Sequence, residues 1–183
     1  MKPTLRCVAT TLLSCPMIKQ TYLSELEGAL ARPDAVKMQE QLLIYAEYQA
    51  RDARYWPEEL AGDFDEIITC HFDNPEKSFA YVILAAPQSD DPQLLAAMGC
   101  GNLENVLDDP SPELLDRIVA EASKSARFRW LLSHPFKVAI APRAWEAIEK
   151  FRITGPHEEP SADKLPPREQ SPLTGPYQRG VNG

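Results

Sequence analysis

Cys100 stands between Gly99 and Gly101, four residues ahead of Glu104, and this turn comes closest in residue type and spacing to a reactive site. A thiol near a helix start can have its pKa lowered, and a carboxylate one turn further on can recognise a ligand or carry a proton. Nucleophilic work also needs a base at hand, and spacing alone supplies none: His71 with Asp73, and His134 before Pro135, assemble no triad with Cys100. The plainer reading of Glu104 is an acidic residue in the first turn of a helix, favoured by the positive end of the macrodipole. Arg127 and Arg129 flank Phe128 and form either a basic spot for a carboxylate or phosphate or, more simply, ion pairs with acidic helices. Tyr55 and Trp56 at a helix end offer an aromatic anchor for a partner, since large aromatics concentrate binding energy. Asn102, Asp108 and Asp109 complete the candidate binding residues around the turn.

Nothing in the chain reads as a catalytic set or a metal site. Cys7, Cys15, Cys70 and Cys100 have no CxxC spacing and no histidine pair near them, so reduced, mostly buried thiols are the expectation, with no cofactor. His71 beside Cys70 is no site either, because sequence neighbours point apart on a helix or strand.

The elements that position these residues are helices. Apolar residues at Ile18, Tyr22, Leu23, Leu26, Ala29 and Leu30 predict a helix from Met17 to Ala31. Asp34 as cap and a strong period through Leu42, Tyr45 and Ala53 predict another up to Trp56, where Pro57 stops it, with Glu47 and Arg51 placed to pair. Phe64, Ile67, Ile68 and Phe72 recur at helical spacing, and a strand there would have no partner. Asn74-Pro75 opens a helix that is apolar almost all round from Phe79 to Ala86, the expected buried centre. Asp91-Pro92 opens a short helix that Gly99 is expected to end as a left-handed cap, with Asn102 capping a restart. Ser111-Pro112 opens an amphipathic helix, a second runs from Ala126 to Ser133, and Pro142 starts the last.

The resulting fold class is all-α, an irregular antiparallel bundle or short stack of about eight helices with no repeat period. Residues 1–16 read as a flexible arm that faintly imitates a lipoprotein leader, or as extra sequence ahead of a start at Met17; 17–154 form one domain; 155–183 are a disordered tail. Six prolines and three glycines fall among the last 28 residues, too little apolar content to offset ordering entropy. If Leu165, Leu173 or Tyr177 are ordered, they dock on the body or on a partner.

From Phe64 to Phe136 the chain resembles a family of small, uncharacterised bacterial helical proteins, a domain of unknown function. The matching pieces are Pro75 to Phe79, Ser89-Asp90-Asp91, the turn Gly101-Asn102-Leu103-Glu104, Asp116 to Ala122 and Ala126-Arg127-Phe128-Arg129. Asn102 stands where that family usually has proline, and Phe79 where it more often has tryptophan. The resemblance implies a helical, bacterial, cytoplasmic protein and brings no chemistry to transfer.

A net charge of −8 across 183 residues argues against a direct grip on nucleic acid, which needs clustered Lys and Arg, and no stretch approaches the ~20 apolar residues of a membrane span. The expected function is therefore non-enzymatic binding of another protein, with an immunity protein that neutralises a basic toxin domain as the specific version. The alternatives are an enzyme or small-ligand module using the Cys100 to Glu104 turn, and a structural subunit of a larger assembly.

Overall fold

The computed structural model describes residues 24–50 and 61–168, with the side chains of residues 61, 63 and 64 excepted. Among the described residues every regular element is helical. Helix α1 (Glu25–Leu30) starts where Ser24, in extended backbone, accepts a hydrogen bond from the Glu27 N–H at 3.1 Å. Residues 17–23 of the expected helix lie outside the described residues, and the Ser24 cap satisfies a first-turn N–H of α1. Helix α2 (Ala35–Ala50) follows; its expected run to Trp56 and the Glu47–Arg51 pair lie outside the described residues. Helix α3 (Ala61–Asp73) takes the Ile67 to Phe72 stretch as helix, as its spacing requires.

Helix α4 (Pro75–Gln88) is the centre. Asn74 accepts from the Lys77 N–H at 2.9 Å, Pro75 occupies the first turn, and every residue from Ser78 to Ala86 is buried. Helices α1, α2, α3, α5 (Pro92–Met98) and α8 (Ala126–Leu132) all pack on it. Phe79 meets Phe128 edge to face with ring centroids 6.1 Å apart, an arrangement that adds to plain burial. Helix α7 (Pro112–Lys124) is capped by Ser111, and Ser125 both ends α7 and caps α8. Helix α9 (Pro142–Ile148) closes the body.

Two stretches differ from the sequence expectation. Gly99 is no left-handed cap: its φ is −69° and ψ −56°, and the chain runs on through a π-helical turn, Gly99–Leu103, into α6 (Glu104–Asp108). Close packing is the reason for glycine here, since a Cβ would lie 2.7 Å from the Leu131 carbonyl and 2.8 Å from His134 Cβ. The second difference is the first part of the tail, residues 155–168, which lie on the body, while residues 169–183 of the expected tail lie outside the described residues. Pro160 is buried, Leu165 packs against the core, and the Trp130 indole N–H donates to the Ser161 carbonyl at 3.3 Å. Composition alone missed this because two apolar insertions and a few donors from the body suffice to hold a short strap.

Candidate functional site

The π-turn places its residues apart from one another in purpose. Asn102, 2 % exposed, does not cap anything; its amide donates to the Ile67 carbonyl at 2.7 Å and to Ser78 Oγ at 3.1 Å, tying the turn to α3 and α4. Glu104 is half-buried and accepts the Phe136 N–H at 3.0 Å, so it holds the loop after α8. Cys100 is half-buried with its Sγ 4.0 Å from the His134 carbonyl. Burial pushes its thiol up to about 11, helped by the nearby carboxylates Glu159 and Glu104, the opposite of the activation a nucleophile needs. His134 is buried, its Nδ1 3.0 Å from the Trp130 carbonyl and its ring against the Trp130 indole, and burial lowers its pKa.

A chemical consequence follows for the thiol. The thiolate fraction of Cys100 at pH 7.5 falls by more than a hundredfold against a free thiol, and the higher nucleophilicity of a more basic thiolate returns part of that. Alkylation by iodoacetamide, followed by peptide mass spectrometry, should therefore be slower at Cys100 than at a model thiol by roughly an order of magnitude; an equal rate would contradict the placement.

The remaining candidates divide the same way. Tyr55 and Trp56 lie outside the described residues. Asp108 and Asp109 are exposed, with Asp109 3.0 Å from Arg143, whose guanidinium also bonds the Pro110 carbonyl. His71 lies beside Asn105, with ring nitrogen and amide 3.4 Å apart, and its ring meets that of the exposed Phe72 at a tilt of 39°. Arg129 donates to the Ala122 carbonyl at 3.0 Å. Arg127 is buried and bonds the carbonyls of Ala86, Ser89 and Pro166 as well as Asp90. Its buried setting makes it a clamp between helices.

Three polar constellations escaped the sequence. Arg117 forks onto both oxygens of Glu25, at 3.0 and 2.7 Å, and onto Glu76 at 2.6 Å, over the face of Phe79. Arg152 donates to four carbonyls, those of Leu132, Ser133, Pro135 and Gly155. Between α2, α3 and α4, Glu66 gathers Lys37 at 2.8 Å, Lys77 at 2.5 Å and Gln41 at 2.6 Å, while the buried Tyr81 hydroxyl donates to Gln41 at 2.5 Å. The Arg117 and Glu66 groups join helices far apart in sequence, and Arg152 follows the helical turn Glu149–Phe151, so only the three-dimensional packing unites each with its partners.

The Glu66 cluster makes stability depend on acid. Hydrogen bonds from Lys37, then Lys77 and Gln41, hold its carboxyl down to about 2 against an ordinary 4.5. A depressed folded pKa gives stability that is present above the unfolded value and lost as pH falls toward the folded one. Urea unfolding should therefore show a stability decline between pH 4.5 and 2 that is shallower in Glu66→Gln; identical slopes would refute the assignment.

Two clefts flank α1, of about 190 and 310 Å³. The larger is lined by Arg117 and Arg32, whose guanidinium groups already hold Glu25, Glu76 and Asp34. Among the described residues no group of three or more His, Cys, Asp or Glu is arranged to hold a metal ion, and no helix is long and apolar enough to cross a membrane.

Capped helices packed round one buried helix, tied together by guanidinium groups on backbone carbonyls and carboxylates, define an irregular all-helical domain. More narrowly, residues 49–155 match the family of unknown function DUF6869, more than half of the chain, and the chain belongs to that family. No curated protein matches it, and no solved structure does. The match spans α3 to α9 and leaves α1, most of α2 and the strap outside.

Proposed function

We propose that this domain is a non-enzymatic binding protein whose partner is another, basic protein, in a bacterial cytoplasm, with an immunity protein against a toxin domain as the specific form. One observation carries the reading. Each of the seven described arginines, Arg32, Arg117, Arg127, Arg129, Arg143, Arg152 and Arg168, bonds within the chain. Asp65, Asp73, Asp108, Glu113, Asp116, Glu146 and Glu149 are exposed. Arg127, Arg129 and Arg152 spend their charge mainly on backbone carbonyls, and the other four pair with carboxylates, so with a net charge of −8 the excess at the surface is negative, which steers a basic partner and fixes register more than it adds raw affinity. The raised Cys100 thiol weighs against a turn-based enzyme.

The test is capture from the native host with the purified protein as bait, at about 0.1 M and 0.5 M salt, which bracket strong and weak screening of exposed charges. The expected result is a basic protein recovered at low salt and depleted at high salt. Recovery of no basic partner at low salt would defeat the reading.

A further inference from the structure

The strap from Pro160 to Arg168 is held in an unusual way for part of a fold. Its hydrogen bonds to the body run from buried side-chain donors to strap carbonyls, Trp130 Nε1 to Ser161 and Arg127 to Pro166 at 2.6 Å. Asp90 receives Arg127 on one oxygen at 3.0 Å and Arg168 on the other at 2.8 Å. Leu165 supplies the apolar insertion. Both donors are set by the body alone: Arg127 is fixed by Ala86 in the last turn of α4 and by Ser89 and Asp90 on the α4–α5 connection, and Trp130 is 1 % exposed. Carbonyl acceptors belong to any chain, so such a surface selects for backbone path, one apolar side chain and one cation. The receiving residues lie within the family match and the strap lies beyond it.

We propose that the surface formed by Ser89, Asp90, Arg127 and Trp130 is a receptor for a short linear segment of a partner protein, proline-flanked, with one leucine and a trailing arginine. Residues 160–168 occupy it in cis. The identity of the occupant as a partner rests on the protein-binding reading above; the receptor is read from the seated strap. A tethered segment acts at millimolar effective concentration, so the partner's segment enters only when it outcompetes the strap or the strap is displaced.

The test keeps the chain whole until it has folded. A site-specific protease sequence is inserted between the exposed Glu158 and Glu159, the folded full chain is cut, and a fluorescein-labelled peptide of residues 158–170 is added. The uncut chain should bind none at micromolar peptide. The cut chain should exchange its strap for the labelled peptide with unchanged helical circular dichroism. A Leu165→Asp peptide should fail, an Arg168→Glu peptide should bind more weakly, and Trp130→Phe in the body should weaken binding about fivefold through one lost hydrogen bond. Unfolding on strap release would make the segment part of the fold and overturn the proposal. So would a cut, folded chain that takes up no peptide, or uncut chains that dimerise by exchanging straps. Failure here leaves salt-sensitive capture of a basic protein untouched, so the two readings fall separately.

Discussion

Arg127→Met should lower the unfolding free energy by about 3 kcal/mol, read as a shift in the urea midpoint. The value comes from what the guanidinium satisfies. Helix α4 ends at Gln88, and its last carbonyls have no partner within the helix; the Ala85 carbonyl takes the Ser89 N–H, and the Ala86 carbonyl takes Arg127 Nε at 2.5 Å. The Ser89 and Pro166 carbonyls are the other backbone acceptors. Leaving the buried Ala86 acceptor unpaired costs about 1–3 kcal/mol, while the part-buried Ser89 and Pro166 bonds are worth about 0.5–1.5 kcal/mol each, since water can reach those carbonyls. Relief of desolvating the cation offsets part, and Asp90, whose side chain is 63 % exposed, returns to water at little cost. Lysine should restore less than half, because a point charge cannot reach three separated acceptors as a planar fork does. Arg129→Met, which loses one half-buried bond to Ala122, should cost about 1 kcal/mol or less. Equal effects at the two positions would show that the clamp accounting is wrong.

That contrast also marks where sequence reading reaches. Arg127 and Arg129 look alike flanking Phe128, and what separates them is which side of α8 lies against the end of α4, where Arg127 reaches the Ala86 carbonyl. The helices were legible because their punctuation is local. Asn74-Pro75, Asp91-Pro92 and Ser111-Pro112 each place an acceptor and a fixed φ in the first turn, and each opens a helix where expected. The burial of α4 was legible from its unbroken apolar run. Asn102 was misread because its cap role was inferred from residue type, whereas its amide is spent across 35 residues on the Ile67 carbonyl. The strap was misread because prolines argue against helices and strands but say nothing against docking. The Glu66 and Arg117 clusters left no local trace at all, being assembled from helices whose charged faces look solvated one at a time.

Gly99→Ala should cost about 2 kcal/mol and Gly101→Ala should stabilise by about 0.5–1 kcal/mol, although the two glycines are two residues apart in one π-turn. Alanine gains up to about 1 kcal/mol over glycine inside a helix wherever its methyl has room. At Gly101 nothing lies within 4 Å of the added carbon, and no described glycine has a positive φ, so that gain is realised. At Gly99 the methyl would lie 2.7 Å from a backbone carbonyl and 2.8 Å from His134 Cβ. Neither is the far end of a flexible side chain, so α8 and the loop after it must move away from α5. Overpacking of this kind costs about 1–3 kcal/mol, often with backbone shifts. The same movement would loosen the contact between Cys100 and the His134 carbonyl, so alkylation of Cys100 should speed up in Gly99→Ala and stay unchanged in Gly101→Ala. Thermal unfolding and thiol labelling together read both effects. A neutral Gly99→Ala with unaltered labelling would mean that α8 yields freely, and that close approach at this turn does not hold the two helices in register.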